Sequence, residues 1–469
     1  MFNINLLDTL AILLYHPRVR VKDISLSINF FVEHRHAHLV IPERDHYCMR
    51  MSKSTSPDAL PRLPLLPTTI LLPREDIDLH RWAVIACDQF TSQPEYWREV
   101  ERIVGEAPST LHLILPEVHL DEPDLEARIA RIHHTMRTYL DSRLLRPLPP
   151  GAVLTRRTTP YGRTRTGLLL SVDLEAYSYQ DPASASIIPT EATVPERIPP
   201  RLRIRRGAPL ELPHTLLLVD DRRAPLIAPL TPRRTLYHTP LMLGGGTVTG
   251  AFIPEEEILP HLERTLPLLA EQGIIAAVGD GNHSLATAKT LWEEHLRAGA
   301  PPTHPARYSL VEVVSIHDPG LAIEPIHRIL FAAPLPALLD HLAPHATTHR
   351  PISPDDIPTL LHTHPSSAVL FDGTRAHHLL LPTPTLPVET LQPLLDTFLE
   401  GHPGVHIDYT HGLTHTMDLA PQGTAILLPP IPRETIFEAL SRRTVLPRKS
   451  FSLGEPEEKR YYLEARCIL

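Results

Sequence analysis

Between residues 274 and 296 the spacing of apolar positions changes period, and this change organises the rest of the reading. Ile274, Ile275, Ala276, Ala277 and Val278 form a short continuous apolar run of the kind a buried strand uses. Gly279 and Gly281 follow and permit a tight turn. From Ser284 the apolar positions Leu285, Ala288, Leu291, Trp292 and Leu296 fall on one side of a helix. A strand, a glycine turn and a helix start together offer an anion site, because first-turn amides lack intrahelical acceptors and the helix dipole favours negative charge there. Asp280, Asn282, His283 and Ser284 place an acid, an amide, an imidazole and a hydroxyl at that point. The same pattern also describes an ordinary capped helix after a core strand.

Elsewhere the pattern predicts strands at Thr68–Leu72, Trp82–Cys87, Leu111–Leu115, Val153–Arg157, Arg165–Asp173 and Leu216–Val219. Helices are expected at Pro94–Val104, from Asp121 to about 145, and over Glu255–Ala270, which Gly273 stops. Residues 191–202 read as a proline-rich extended loop carrying Glu191, Arg197 and Arg201. Arg307–Ile316 and Leu321–Leu330, separated by His317-Asp318-Pro319-Gly320, read as a hairpin bearing Arg307, Glu312, Glu324, His327 and Arg328. Beyond it, helices near 335–343, 355–362 and 389–400 alternate with strands near 367–371, 376–381 and 424–428. The fold class is therefore α+β (mixed α/β). Residues 1–56 are expected to be an extension or a mis-called start, 57–333 the main domain and 334–469 a smaller C-terminal α/β domain.

Composition narrows this picture. Aromatic residues make up only 5% of the chain, so the core must be built from aliphatic side chains, and 52 prolines favour short elements. A net charge of −9 argues against a protein that coats nucleic acid. No apolar run reaches the ~18 residues of a membrane span. Cys48, Cys87 and Cys467 make neither a CxxC pair nor a disulfide framework, which fits a reducing, cytoplasmic setting. Asp280, His283, Glu312, Glu324 and His327 suit a hard cation in type but show no fixed metal-binding spacing, so no protein-held metal is assigned. Arg197, Arg201, Arg307 and Arg328 come from separate segments and would bind phosphate if two or more converged on the glycine turn.

Ordered blocks then carry a resemblance. They are Trp82–Ser92 with Asp88, Glu191–Thr193, Arg197–Arg201, Leu212-Pro213-His214, Gly279–Ala288, His304–Tyr308, Glu324–Arg328 and Pro447-Arg448-Lys449-Ser450. The chain is similar to a large bacterial and archaeal family of unknown function labelled SpoOJ/ParA/ParB/RepB-like. Its Asp280–Ser284 turn resembles, more distantly, the turn of ParB-like free-serine kinases, and more loosely the boxes of ParB and sulfiredoxin. The resemblance implies that the main domain, 57–333, is catalytic, with a ParB/sulfiredoxin-like core whose turn and following helix hold nucleotide phosphates. Asn282 stands where those kinases have a histidine and Ser284 where they have an arginine, so one of Arg197, Arg201, Arg307 and Arg328 would have to replace a missing phosphate ligand. Asn282 also stands where sulfiredoxin has its cysteine, which argues against sulfinic-acid repair.

The implied function is phosphoryl transfer, of kinase or phosphatase type, on a phosphorylated small molecule such as serine or O-phosphoserine. Mg²⁺ with ADP or ATP is the implied cofactor. Asp280, His283, Glu191 and Glu324 are the catalytic candidates. Gly279, Gly281, Asn282, Ser284 and the four arginines are the phosphate-binding candidates, with Asp88, His327 and Lys449 as further site residues. The alternatives are a ParB-like nucleotide-binding protein with a DNA or protein partner, and a metal-dependent phosphoester hydrolase. Nucleic acid and membrane are not expected partners.

Overall fold

The computed structural model describes residues 63–271, 273–382, 386–442 and 444–469. The expected extension at residues 1–56 lies outside them. Among the described residues two large sheets carry the fold. The first has nine strands. Its path runs Arg234–Pro240, Thr247–Pro254, Gly151–Thr158, Thr164–Asp173, Tyr308–Ser315, Leu216–Val219, Ala276–Asp280 and Ile187–Pro189, with Leu65–Leu66 paired to Thr164–Asp173 off the path. Most neighbours are antiparallel; Tyr308–Ser315 runs parallel to Leu216–Val219, and Ala276–Asp280 parallel to Ile187–Pro189. The second sheet has six strands, all antiparallel, ordered Thr348–Ile352, Ala376–Leu380, Ser367–Phe371, Gly423–Leu427, His327–Phe331 and His406–Thr410. With its helices the chain is mixed α/β, as expected.

The central strands of the first sheet are buried on both faces, which is why they read as apolar runs rather than alternations. On one face Leu217, Val219, Ala276, Val278 and Val313 pack against the helices Glu255–Ala270 and Asn282–Arg297. On the other, Leu216, Leu218, Ala277 and Val314 join Leu330, Leu338, Leu370, Leu395, Ile426 and Leu453 in one apolar cluster that both sheets share. No helix among the described residues is long and apolar enough to cross a membrane.

Several elements differ from expectation. The predicted hairpin does not form. Tyr308–Ser315 pairs within the first sheet, Ile323–Pro325 pairs with Phe451–Leu453, and His327–Phe331 belongs to the second sheet. The apolar spacing was sound, but pairing partners are set by the shared core and not by the turn at His317–Gly320. The loop at 191–202 becomes helical from Ile198, where Pro199 and Pro200 occupy first-turn positions that tolerate proline, and the helix continues to Arg205. In place of the predicted strand Leu111–Leu115 the chain makes a 3-10 turn at Thr110–Leu113, capped by Ser109, whose hydroxyl accepts the Leu111 amide. Only Val84–Ile85 of the second predicted strand pairs, with Tyr461–Tyr462. Cys467 is disulfide-bonded, against the expectation of no disulfide, and Cys87 is a free thiol.

Candidate functional site

The strand Ala276–Asp280 delivers its last residue to a turn centred on Gly281, which adopts φ +79° as the N-cap of the helix Asn282–Arg297. A Cβ at Gly281 would lie 2.9 Å from Thr215 Cα, so both the angle and the close backbone approach call for glycine. Gly279 is restricted by space alone, since a Cβ there would stand 2.7 Å from both Leu218 and Leu453. No side chain caps the helix. Leu285 is the first amide to bond back, to the Gly281 carbonyl at 3.1 Å, and the amides of Asn282, His283 and Ser284 have no acceptor among the described residues. The Asn282 Oδ1 atom is buried without a partner as well.

Around this turn the chain gathers charge from four other segments. Asp280 Oδ1 accepts the Gly281 amide at 2.9 Å, and its Oδ2 meets Lys459 Nζ at 3.2 Å. Val194 donates its backbone N–H to His283 Nε2 at 3.2 Å, which leaves the ring proton of the neutral imidazole on Nδ1. Burial, reinforced by the positive charges of Arg201, Arg197 and Lys449, pushes the His283 pKa down to about 4, with Asp88 opposing. Arg201 pairs with Glu117 and donates from Nη1 to the Arg197 carbonyl at 2.7 Å. Burial works against the Asp88 carboxylate, but the nearby His214, the Gln89 amide and Lys459 outweigh it and hold its pKa below the ordinary value.

Asp88 belongs to a polar chain. Its Oδ2 lies 4.0 Å from His214 Nε2, His214 Nδ1 contacts the Tyr462 hydroxyl at 2.7 Å, and that hydroxyl donates to Cys87 Sγ at 3.2 Å. The Cys87 thiol is pushed up to about 12 by burial and by Asp88, so it is no nucleophile. Glu117, whose backbone N–H bonds the Cys87 carbonyl at 2.8 Å, has its pKa raised, chiefly by burial.

Besides Gly279, Gly281, Asn282 and Ser284 of the turn itself, six predicted residues therefore sit together at the helix start: Asp88, Arg197, Arg201, Asp280, His283 and Lys449. Other candidates are engaged elsewhere. Arg307 grips Asp173 with both arms, at 2.9 and 2.5 Å. The Arg328 guanidinium is buried against Gln392 Oε1, the Ile326 carbonyl and the Lys449 carbonyl. His327 is buried, with Nδ1 accepting the Leu428 amide at 3.1 Å. Glu324 is exposed and lies within electrostatic reach of Arg163 and Glu458. Glu191 spends both carboxylate oxygens on the backbone amides of Lys449 and Ser450, at 2.8 and 2.9 Å. It holds the Lys449 backbone at φ +58°, a conformation that side-chain-bearing residues rarely adopt.

Lys459, His214, Tyr462 and Glu117 were not foreseen as site residues. Lys459 and Tyr462 lie close to the C-terminal end of the sequence, outside every motif singled out above, and only their distances to Asp280 and Cys87 reveal them. Among the described residues no group of three or more His, Cys, Asp or Glu is placed to hold a metal by itself.

A family model described as a protein of unknown function, DUF1015, matches residues 67–398, and the chain belongs to that family. No curated protein matches. Among solved structures the chain is similar to a conserved hypothetical protein from Pyrococcus furiosus, with 11% identity, 62% of this chain and 93% of that one covered, and a TM-score of 0.34. It is similar to a free serine kinase in complex with AMP at 10% identity, 62% and 90% coverage and a TM-score of 0.35. It is also similar to a C-terminally truncated SbnI from Staphylococcus aureus at 13% identity, 61% and 82% coverage and a TM-score of 0.32.

Proposed function

We propose that the chain is a small-molecule phosphotransferase whose phosphate-binding element is the helix start at Asn282–Ser284. One observation carries this reading: three first-turn amides without acceptors stand where Lys459, Arg197, Arg201 and Lys449 concentrate positive charge. Phosphate oxygens supply the acceptors those amides lack, and the dipole adds to the attraction. Ser284 replaces a cationic ligand in the resemblance, and Arg201 of the helix Ile198–Arg205 is the arginine we assign to compensate, its charge being felt at His283.

The remaining groups divide the work. His283, neutral at physiological pH, donates from Nδ1 to a phosphate oxygen and stays uncharged while doing so. Lys459 neutralises charge on the phosphoryl group as it moves, and Asp280, fixed by Lys459 and the Gly281 amide, takes the proton of the attacking hydroxyl. Asp88, which is also within electrostatic reach of Lys459, is the second carboxylate. The protein's own donor set fits a divalent ion only if other ligands come with it, so Asp280 and Asp88 would meet Mg²⁺ already carried on nucleotide phosphates. Such an ion, when bound, spreads the negative charge of the phosphates.

Serine and O-phosphoserine are the substrates to test first, because of the turn's resemblance to free-serine kinases. The test is serine-dependent turnover of ATP and ADP, alongside phosphate release from O-phosphoserine with and without ADP and Mg²⁺. Asp280→Asn and His283→Ala are expected to abolish turnover, by at least about 100-fold for a positioned proton-transfer or charge-stabilising group, while leaving the urea midpoint near that of the parent. Full activity in both variants would remove this site from the reaction. Release of phosphate without nucleotide would turn the reading to a phosphohydrolase.

A further inference from the structure

A second polar cluster is buried inside the first sheet, away from the helix start. Arg157 and Arg165 are cross-strand partners on the strands Gly151–Thr158 and Thr164–Asp173, and they are only 4% and 5% exposed. Like charges set directly opposite each other repel, and burial strengthens the repulsion. Their neighbours do not cancel it. Glu312, the nearest carboxylate, accepts Thr155 Oγ1 at 2.9 Å and Arg460 Nη1 at 2.5 Å, and lies 3.9 Å from Arg165, beyond hydrogen-bond reach. Glu464 accepts the other arm of Arg460 at 2.5 Å and the Tyr237 hydroxyl. Glu458 is taken by Arg163. Three arginines, Arg157, Arg165 and Arg460, thus face two carboxylates, and the cluster keeps one positive charge in excess.

The groups that carry the excess also lack acceptors. Among the described residues, Arg157 Nε and Arg165 Nε are both buried without a hydrogen-bond partner. Arg157 satisfies its other nitrogens on the carbonyls of Gly245, Thr158 and Glu457, whereas among the described residues the one ion pair of Arg165 is the long contact to Glu312. These side chains, with Thr155, Glu312, Arg460 and Glu464, line a cavity of about 20 Å³. A space of that size takes one particle about as large as a water molecule. Two glycines make room for side chains of the cluster. A Cβ on Gly167 would lie 2.1 Å from Glu312 Oε1, and one on Gly250 would lie 2.1 Å from the Tyr237 ring.

We infer that this cavity is a binding site for a single monatomic anion, a halide such as chloride, held between the unpartnered Nε–H groups of Arg157 and Arg165. A halide has no donors to place and takes hydrogen bonds from any direction. It supplies both missing acceptors and removes the excess charge, whereas a water molecule supplies acceptors and leaves the charge. The cluster also borders the proposed phosphotransfer site in sequence, since Arg460 directly follows Lys459. The anion would therefore help fix the segment that presents Lys459, although the inference does not depend on what reaction occurs there.

Thermal unfolding of the full chain in sodium chloride and in sodium gluconate at equal ionic strength tests it. Chloride is expected to raise the midpoint by at least about 2 °C in a saturating manner, as a ligand of the folded state does. Bromide-soaked crystals should show an anomalous peak within hydrogen-bond distance of both arginines. Arg165→Met is expected to abolish the chloride response, and Arg165→Lys, which keeps the charge, to retain part of it. Identical midpoints in the two salts, or a cavity holding only water in bromide, would overturn the assignment.

Discussion

His283 and His327 are both held neutral well below the ordinary histidine range, at about 4, and in both the first cause is burial. At His327 the charges of Arg328 and His411 add to it, and Nδ1 is committed to the Leu428 amide. A histidine whose folded pKa is depressed takes up its proton more readily once unfolded. Its contribution is therefore fully present above the unfolded value near ~6.5 and is lost as pH falls from there toward about 4. For His327, the more deeply buried of the two, the loss is on the order of 3 kcal/mol when the whole shift is traversed, and for the part-buried His283 it is smaller. Urea midpoints are expected to fall steeply between pH 6.5 and pH 4. His327→Gln should lower stability at pH 7 and flatten the slope across that window; an unchanged slope would mean that His327 titrates normally. Glu312 acts in a lower window. Burial opposes its charge, but Arg460, Arg165 and the Thr155 hydroxyl bring it down to about 2, so its contribution persists above the ordinary carboxylate range and fades only as pH falls toward that value.

At the scale of elements the glycine turn is the feature most open to a direct test. Gly281→Ala forces a side chain into φ +79° and against the Thr215 backbone, where nothing flexible can give way. It is expected to cost about 1–3 kcal/mol in urea unfolding and, by rotating the first-turn amides, to weaken anion binding as well. Loss of stability below roughly 0.5 kcal/mol would show that the turn relaxes freely. This element was legible in the sequence because everything that defines it is local: an apolar run, two glycines, then a 3.6-residue period. The segments around residues 191–202 and 307–330 were less legible for the opposite reason. Pro199 and Pro200 suggest extension, yet both fit a first helical turn once Ile198 and Leu202 have a core to face. Strands Tyr308–Ser315 and His327–Phe331 each look like half of a hairpin, and only the arrangement of two sheets around one apolar cluster sends them apart.

Over the whole molecule the final twenty residues act as a staple. Phe451–Leu453 pairs with Ile323–Pro325, Tyr461–Tyr462 with Val84–Ile85, and Arg466–Cys467 with Leu210–Glu211. Between those contacts Lys459 reaches Asp280 and Arg460 reaches Glu312. The site was half visible in the sequence for this reason. Asp280, His283 and Arg201 belong to motifs, whereas the functional company of Lys459 and Tyr462 depends on strand pairings hundreds of residues apart. The staple has an electrostatic keystone in Arg460, which serves Glu312 and Glu464, residues only 2% and 1% exposed. Arg460→Met fits the space but strands Glu464 without its cation and leaves Glu312 only the long contact to Arg165. The expected loss is about 3–5 kcal/mol, the scale for breaking a buried ion pair from one side. Adding Glu312→Gln removes one of these two charges and should restore part of that loss, which a urea double-mutant cycle reads as a coupling between the two positions of more than about 1 kcal/mol. Additive losses would mean that the tail is held by its strand pairings, with Arg460 contributing little to the fold.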